Sequence, residues 1–149
     1  MEVQAGAVAT GREHPSPPRP YTPPQRLWPA TPRGVNEARH ALAEKLTEWS
    51  LPELADSASL VLAELMTNAQ KHGWVDGRSI GVSVSRIDTG VLIEVHDARG
   101  EHLPRLVAAS LTDVGGRGLA IVDAVTGQRW GVMEREGPGK VVWAVCSAA

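Results

Sequence analysis

Apolar residues recur along this chain with two periods, and the order in which those periods alternate predicts the fold. From Pro32 onward Val35, Ala38, Leu42, Leu46 and Trp49 return every three or four residues, which places them on one face of a helix ending near "WSLPEL". Asp56 or Ser57 is positioned to cap a second helix, which carries Leu60, Leu62, Leu65, Met66 and Ala69 and stops at Gly73. The period then drops to two. "SIGVSVSRI" and "VLIEVHD", joined by the turn-forming "DTG", read as a hairpin. Ala98 to Val114 is weakly periodic and predicts a connection with a short helix in it. After a glycine-rich entry, Gly116 to Ala124 restarts helical spacing with Leu119, Val122 and Val125. "RWGVME" and "VVWAVC", on either side of "REGPG", make a second hairpin. Helix, helix, hairpin, helix, hairpin predicts an α+β fold, a two-layer sandwich whose largely antiparallel mixed sheet carries its helices on one face.

Residues 1–26 break the pattern. "HPSPPRPYTPPQR" removes backbone donors and offers few apolar side chains against the entropy of ordering, so the segment reads as a disordered Pro-rich tail, with a proline-rich docking peptide as the other use of such a stretch. That leaves 27–149 as one domain, a size that supports a single core. A formal net charge of -2 gives no electrostatic reason to expect nucleic acid or an anionic membrane. No stretch approaches the roughly 18 consecutive apolar residues of a membrane span, and the first residues lack the apolar run of a secretory signal. Cys146 is the only cysteine, so neither an internal disulfide nor a cysteine zinc site can form. Its apolar surroundings suggest a small buried hydrophobe in a reducing compartment. The expectation is a cytoplasmic protein.

Three stretches carry candidate chemistry. In "AELMTNAQKHG", a rotation of about 100° per residue gathers Glu64, Asn68, Lys71 and His72 into one sector of the second helix, opposite Leu62, Leu65, Met66 and Ala69. Alone this is an ordinary amphipathic helix with a solvated face. Yet an amide oxygen is a hard neutral ligand for Mg²⁺, and a carboxylate one turn away can orient or deprotonate a hydroxyl. Asp97 closes the strand in which Val91, Ile93 and Val95 share a face. An unpaired carboxylate on that side is costly, so Asp97 needs a partner: either the backbone it caps or the exocyclic amine of a bound base. Gly100 would permit a flat ring to approach the backbone closely. In "GGRGLAIV", Gly115, Gly116 and Gly118 open a helix, so that its unpaired amides either face a phosphate or form a flexible joint.

The joint order of "ELMTNAQKHG", "IEVHDARG", "GGRGLAIV" and a hairpin containing "GPGKVVWAV" resembles the GHKL ATPase superfamily, over about residues 25 to 147. Within it, the small bacterial anti-sigma-factor serine kinases are the most similar branch. The resemblance implies the Bergerat-type ATP-binding fold, with ATP and Mg²⁺ as cofactors. It implies Asn68 as the Mg²⁺ ligand, Glu64 as the catalytic base, and Asp97 as acceptor for the adenine amino group with Gly100 beneath the base. Gly116, Arg117, Gly118 and the adjoining Leu119 would form the phosphate-binding segment, with Lys71 and His72 also near the nucleotide and residues 98 to 114 as a lid. The implied activity is phosphorylation of a serine on an antagonist protein, with sequestration of a sigma factor, from a possible homodimer. The silent counterpart is a nucleotide-sensing module that regulates by docking alone.

Two positions depart from the family's pattern. Asp97 is followed by a single nearby glycine, Gly100, and Val141 stands where a threonine after the glycine turn is common. Lys140 reads as a solvated hairpin lysine, with phosphate as its other reach. His96 alternates away from the buried face and is expected to be exposed, and "ARHALAEKL" around His40 lacks the acidic neighbour of a phosphoacceptor histidine. Trp28, Trp49, Trp130 and Trp143 are expected to fill the core and interfaces.

Overall fold

The computed structural model of the chain describes residues 16–73, 79–97, 114–134 and 139–147. The period-two stretches form β2 (Ser79–Ile87), β3 (Gly90–Asp97), β4 (Trp130–Glu134) and β5 (Lys140–Ser147), and a short strand β1 (Arg26–Pro29) precedes them. All five join one antiparallel sheet in the order β1-β2-β3-β5-β4. β3 is therefore central, paired with β2 on one side and β5 on the other. The helices are α1 (Pro32–Glu48), α2 (Ala55–Gly73) and α3 (Val114–Thr126). This is the expected α+β sandwich.

Local signals explain the helix ends. Thr31 caps α1 by accepting from the Gly34 amide at 3.0 Å, and Pro32 occupies the first turn, where its missing donor costs nothing. Ser50, at φ 59°, turns the chain out of α1, and a single 3-10 turn at Pro52–Leu54 leads into α2. Ser57 does not cap α2; its hydroxyl donates to the Leu54 carbonyl instead. α3 is tied to the sheet at its C-terminal half, where the Trp130 indole N–H donates to Asp123 Oδ1 at 2.7 Å. That bond lets a large aromatic be buried without an orphaned donor.

The main core lies between helices and sheet. Val35, Ala38, Leu42 and Leu46 of α1 meet Ala58, Val61, Leu62, Leu65 and Met66 of α2 above Val91, Ile93 and Val95 of β3. Trp28 and Trp130 belong to this cluster, Trp49 packs against it, and Trp143 is buried on the sheet's other face. Two residues of the predicted stripes fall outside it, since Leu60 and Val125 are exposed. Cys146 is buried in the same core, and desolvation pushes its thiol up to about 11.

The other face of the sheet is where expectation and structure part. A two-layer sandwich leaves this face to solvent, and on that reasoning His96 should be exposed. It is buried, as is Glu94, because residues 16–25 lie across them. The segment has no regular secondary structure, yet its contacts are specific. Arg19 pairs with Glu94, and the Tyr21 ring tilts against His96 with centroids 5.7 Å apart. Pro24 sits so close over Gly81 that an added Cβ would lie 2.7 Å from it. Gln25 donates its amide to Ser83 Oγ at 3.0 Å and accepts from the Val84 amide at 3.1 Å, continuing from β1. Composition assigns this stretch to a tail because prolines cannot build a ladder; the bonds that order it are single side-chain contacts with no periodicity to read.

Arg19→Ala leaves a wholly buried carboxylate without its counter-charge and should lower the unfolding free energy by about 2–3 kcal/mol in urea denaturation, with Glu94→Gln recovering part of the loss in the double variant. Cys146 should resist thiol reagents at pH 8 until the chain unfolds, as a labelling time course in urea would show. Because its folded pKa is raised, its contribution is intact below the ordinary thiol value of 9.0 and is lost as pH rises through about 11.

Candidate functional site

The buried stripe of α2 runs through Ala58, Val61, Leu62, Leu65, Met66 and Ala69 and presses the helix onto the sheet. Glu64 and Asn68 flank that stripe one turn apart, a spacing that brings Cβ atoms to within about 6 Å of each other. Glu64 is half-buried. Asn68 is buried at 7 % exposure, and its Oδ1 has no hydrogen-bond partner among the described residues. The solvated-face reading therefore fails at Asn68. Asparagine is a poor interior helix residue, and an orphaned buried amide oxygen costs about 1–3 kcal/mol. Among the described residues nothing satisfies this acceptor. A hard cation fits, since a neutral amide oxygen can bind it without adding a second buried charge beside Glu64.

Beneath α2 the sheet supplies the second element. Asp97 is the last residue of β3, two positions beyond Val95 in the series Val91, Ile93, Val95 that faces the helices. Its Cα partner on β5 is Lys140, whose partner on β4 is in turn Glu134. Lys140 is 3 % exposed. The expectation of a solvated hairpin lysine is overturned: the residue is the first of β5 and belongs to the ladder, sharing the parity of Val142, Ala144 and Cys146, which face the helix-side core.

Val141 needs the opposite correction. It pairs with His96 and Met133 in register and shares the parity of Trp143 and Val145, so it lies on the far face of the sheet from the helices. A hydroxyl at Val141 would point away from any ligand held between helices and sheet. Its absence says nothing about such a ligand.

α3 supplies the third element. It begins at Val114, slightly earlier than the spacing predicts, so Gly116, Arg117 and Gly118 lie in its first turns. The first four amides of a helix lack intrahelical acceptors, which counted from Val114 includes Gly116 and Arg117 and leaves Gly118 one residue beyond. Leu119 is buried in the main core. α3 packs on α2 and both lie on the sheet, so the helix bearing Glu64 and Asn68 is flanked by the glycine-led helix. Lys71 and His72 continue α2, but their side chains lie outside the described residues, as do Gly100 and the segment read as a lid. Sequence reasoning missed the burial of Lys140; the signal for it was the even spacing from Val142, Ala144 and Cys146.

A family model described as the histidine kinase-like ATPase domain matches residues 28–146. Searches of the curated proteins and of the solved structures found no match.

If the Asn68 amide is kept for a ligand and contributes nothing to packing, Asn68→Leu, which fills the same space without an orphaned acceptor, should leave the unliganded fold as stable or more stable by about 1 kcal/mol. Chemical denaturation in the absence of nucleotide and metal measures it. A loss of more than that would mean the amide is bonded within the chain.

Proposed function

Because the chain belongs to the histidine kinase-like ATPase domain family, which implies ATP binding and generally Mg²⁺ with it, we propose that it is a Mg²⁺- and ATP-dependent protein-serine kinase of the anti-sigma-factor type. Its substrate is a serine on an antagonist protein, and its second activity is sequestration of a sigma factor. The observation that carries this reading is the orphaned Asn68 Oδ1, one helical turn from Glu64.

In this reading Asn68 holds the metal through its amide oxygen. Bound there, Mg²⁺ supplies neutralisation of the charge on the phosphate oxygens. The residues do the rest by position. Asp97 accepts from the adenine amino group and fixes the base at the end of β3, and the free amides of the first turn of α3, around Gly116 and Arg117, receive phosphate. Glu64 accepts the proton of the incoming serine hydroxyl as its oxygen bonds to the γ-phosphorus; the bond from that phosphorus to the bridging oxygen breaks, and ADP leaves with the electron pair. Phosphoryl transfer asks little covalent chemistry of the protein, so a carboxylate, an amide and a row of peptide nitrogens are sufficient parts. Partner proteins and a homodimer follow from the same branch of the family. The docking-only alternative drew on Val141 and on the single glycine after Asp97; Val141 lies on the sheet face away from the helices, and Gly100 lies outside the described residues.

Titration calorimetry with ATP should show binding that is strengthened by Mg²⁺, and Asn68→Ala should remove the metal's contribution while leaving weak metal-free binding. Glu64→Gln should bind Mg²⁺-ATP like the parent chain but transfer label from γ-labelled ATP to a serine-bearing antagonist about 10²–10⁴ times more slowly. ATP binding with no transfer to any antagonist that the protein binds would refute the kinase reading.

A further inference from the structure

On the sheet face away from the helices, the register sets Ser83, Glu94 and Trp143 side by side in one cross-strand row, with Leu92 and Val145 on one flank and His96 on the other. All six are at most 2 % exposed. Residues 16–25 reach Ser83, Glu94 and His96 from above, yet none of these ten residues is itself buried. We propose that this face is a docking groove for an extended proline-rich segment of a partner protein, one that presents an arginine with an aromatic residue two positions on, and that residues 16–25 are its displaceable occupant within the chain. The inference is independent of the nucleotide reading.

The segment shows what the groove accepts. Pro17, Arg19 and Tyr21 are half-buried while Ser16, Pro18 and Pro20 are exposed, so alternate residues face the sheet as they do in an extended chain. Five of the ten residues are proline, which pre-sets the extended form and lowers the entropy lost on docking. Arg19 meets Glu94, and the Tyr21 ring meets that of His96. A wholly buried carboxylate calls for a cation. Set among aromatic rings, it makes the kind of surface on which proline-rich segments are recognised.

The fit within the chain is incomplete. Arg19 engages one carboxylate oxygen, while Glu94 Oε2 and Arg19 Nε have no hydrogen-bond partner among the described residues. A guanidinium is built to engage both oxygens at once. The Arg19 side chain is also 31 % exposed against 0 % for Glu94, so its seat is shallow. No backbone-to-backbone hydrogen bond joins residues 16–25 to the sheet among the described residues. The segment's advantage is its attachment to β1 at Arg26, which gives it a high effective concentration at the groove. An incoming segment that engages both carboxylate oxygens offsets that advantage. The two compete for one site, so loosening one strengthens the other.

Fluorescence polarisation on the full chain tests this, with a labelled peptide of the sequence of residues 16–25 standing in for the partner segment. Arg19→Ala should bind the peptide about tenfold or more tightly than the parent, whose own segment competes, and adding Glu94→Gln to that variant should weaken binding about tenfold. The same peptide with its arginine replaced by alanine should not bind. Equal binding to parent and Arg19→Ala, no binding to either at millimolar concentration, binding of the arginine-free peptide, or indifference to Glu94→Gln would each overturn the proposal. If Arg19→Ala does not fold, Tyr21→Ala decides, since it gives up only the ring contact: tighter binding than the parent supports the groove, and equal or absent binding overturns it. Sedimentation of the parent covers the other occupant. A dimer that the peptide dissociates would mean that two copies exchange residues 16–25, and would overturn the assignment to a partner protein; a monomer that binds the peptide supports it.

Discussion

The register of β3 against β5 is the constraint on which the rest of the molecule depends. β3 is paired on both edges and buried from Gly90 to His96, so each of those residues is committed to one of two environments with no solvent-facing option. Val91, Ile93 and Val95 go to the helices, and Leu92, Glu94 and His96 go to the opposite face, where residues 16–25 reach Glu94 and His96. A slip of one residue would exchange the two sets, driving Glu94 into the apolar core and presenting apolar side chains to Arg19. Burial of these unlike faces fixes where Asp97 falls when the strand ends, and through β5 it fixes which of Lys140 and Val141 faces the helices.

Much of this was legible in the sequence, and the parts that were not have definite physical reasons. α1, α2 and the two hairpins follow from periodicity because each buries one face against a partner, and burial imposes the period. β1 escaped notice because four residues ending in proline give no alternation; it is an edge strand held by pairing with β2 and by Trp28 in the core. His96 was misplaced by a sound rule applied to an incomplete set of layers, since the segment that covers it comes from a proline-rich stretch with no pattern of its own. Val141 and Lys140 were exchanged by counting from the glycine turn. The pleat, not the distance from the turn, decides which of two neighbours faces a ligand.

The candidate site was legible to a different degree at each element. Residue types proposed Glu64 and Asn68, but the same letters describe a solvated helix face, and only the burial of Asn68 with an orphaned oxygen separates the two readings. For Gly116 to Gly118, the sequence foresaw a helix start, and the chain places them in the opening turns of α3. Their covering of phosphate belongs to the proposal.

A single thread connects the two faces of the sheet. On the back, one oxygen of a buried carboxylate is matched within the chain, Glu94 Oε1 by Arg19, while its Oε2 has no hydrogen-bond partner among the described residues. On the helix side, Asn68 keeps an acceptor that no described residue satisfies. Both groups cost free energy to bury, and the ion pair offsets part of that cost for Glu94 on folding. A ligand that satisfies Asn68 therefore stabilises the folded chain by more than its own contacts would suggest, because it relieves a penalty already present in the unliganded state. The two groups also differ in kind: the Glu94 ion pair specifies how residues 16–25 pack on the sheet, while Asn68 is a neutral acceptor on the helix side that no described residue satisfies.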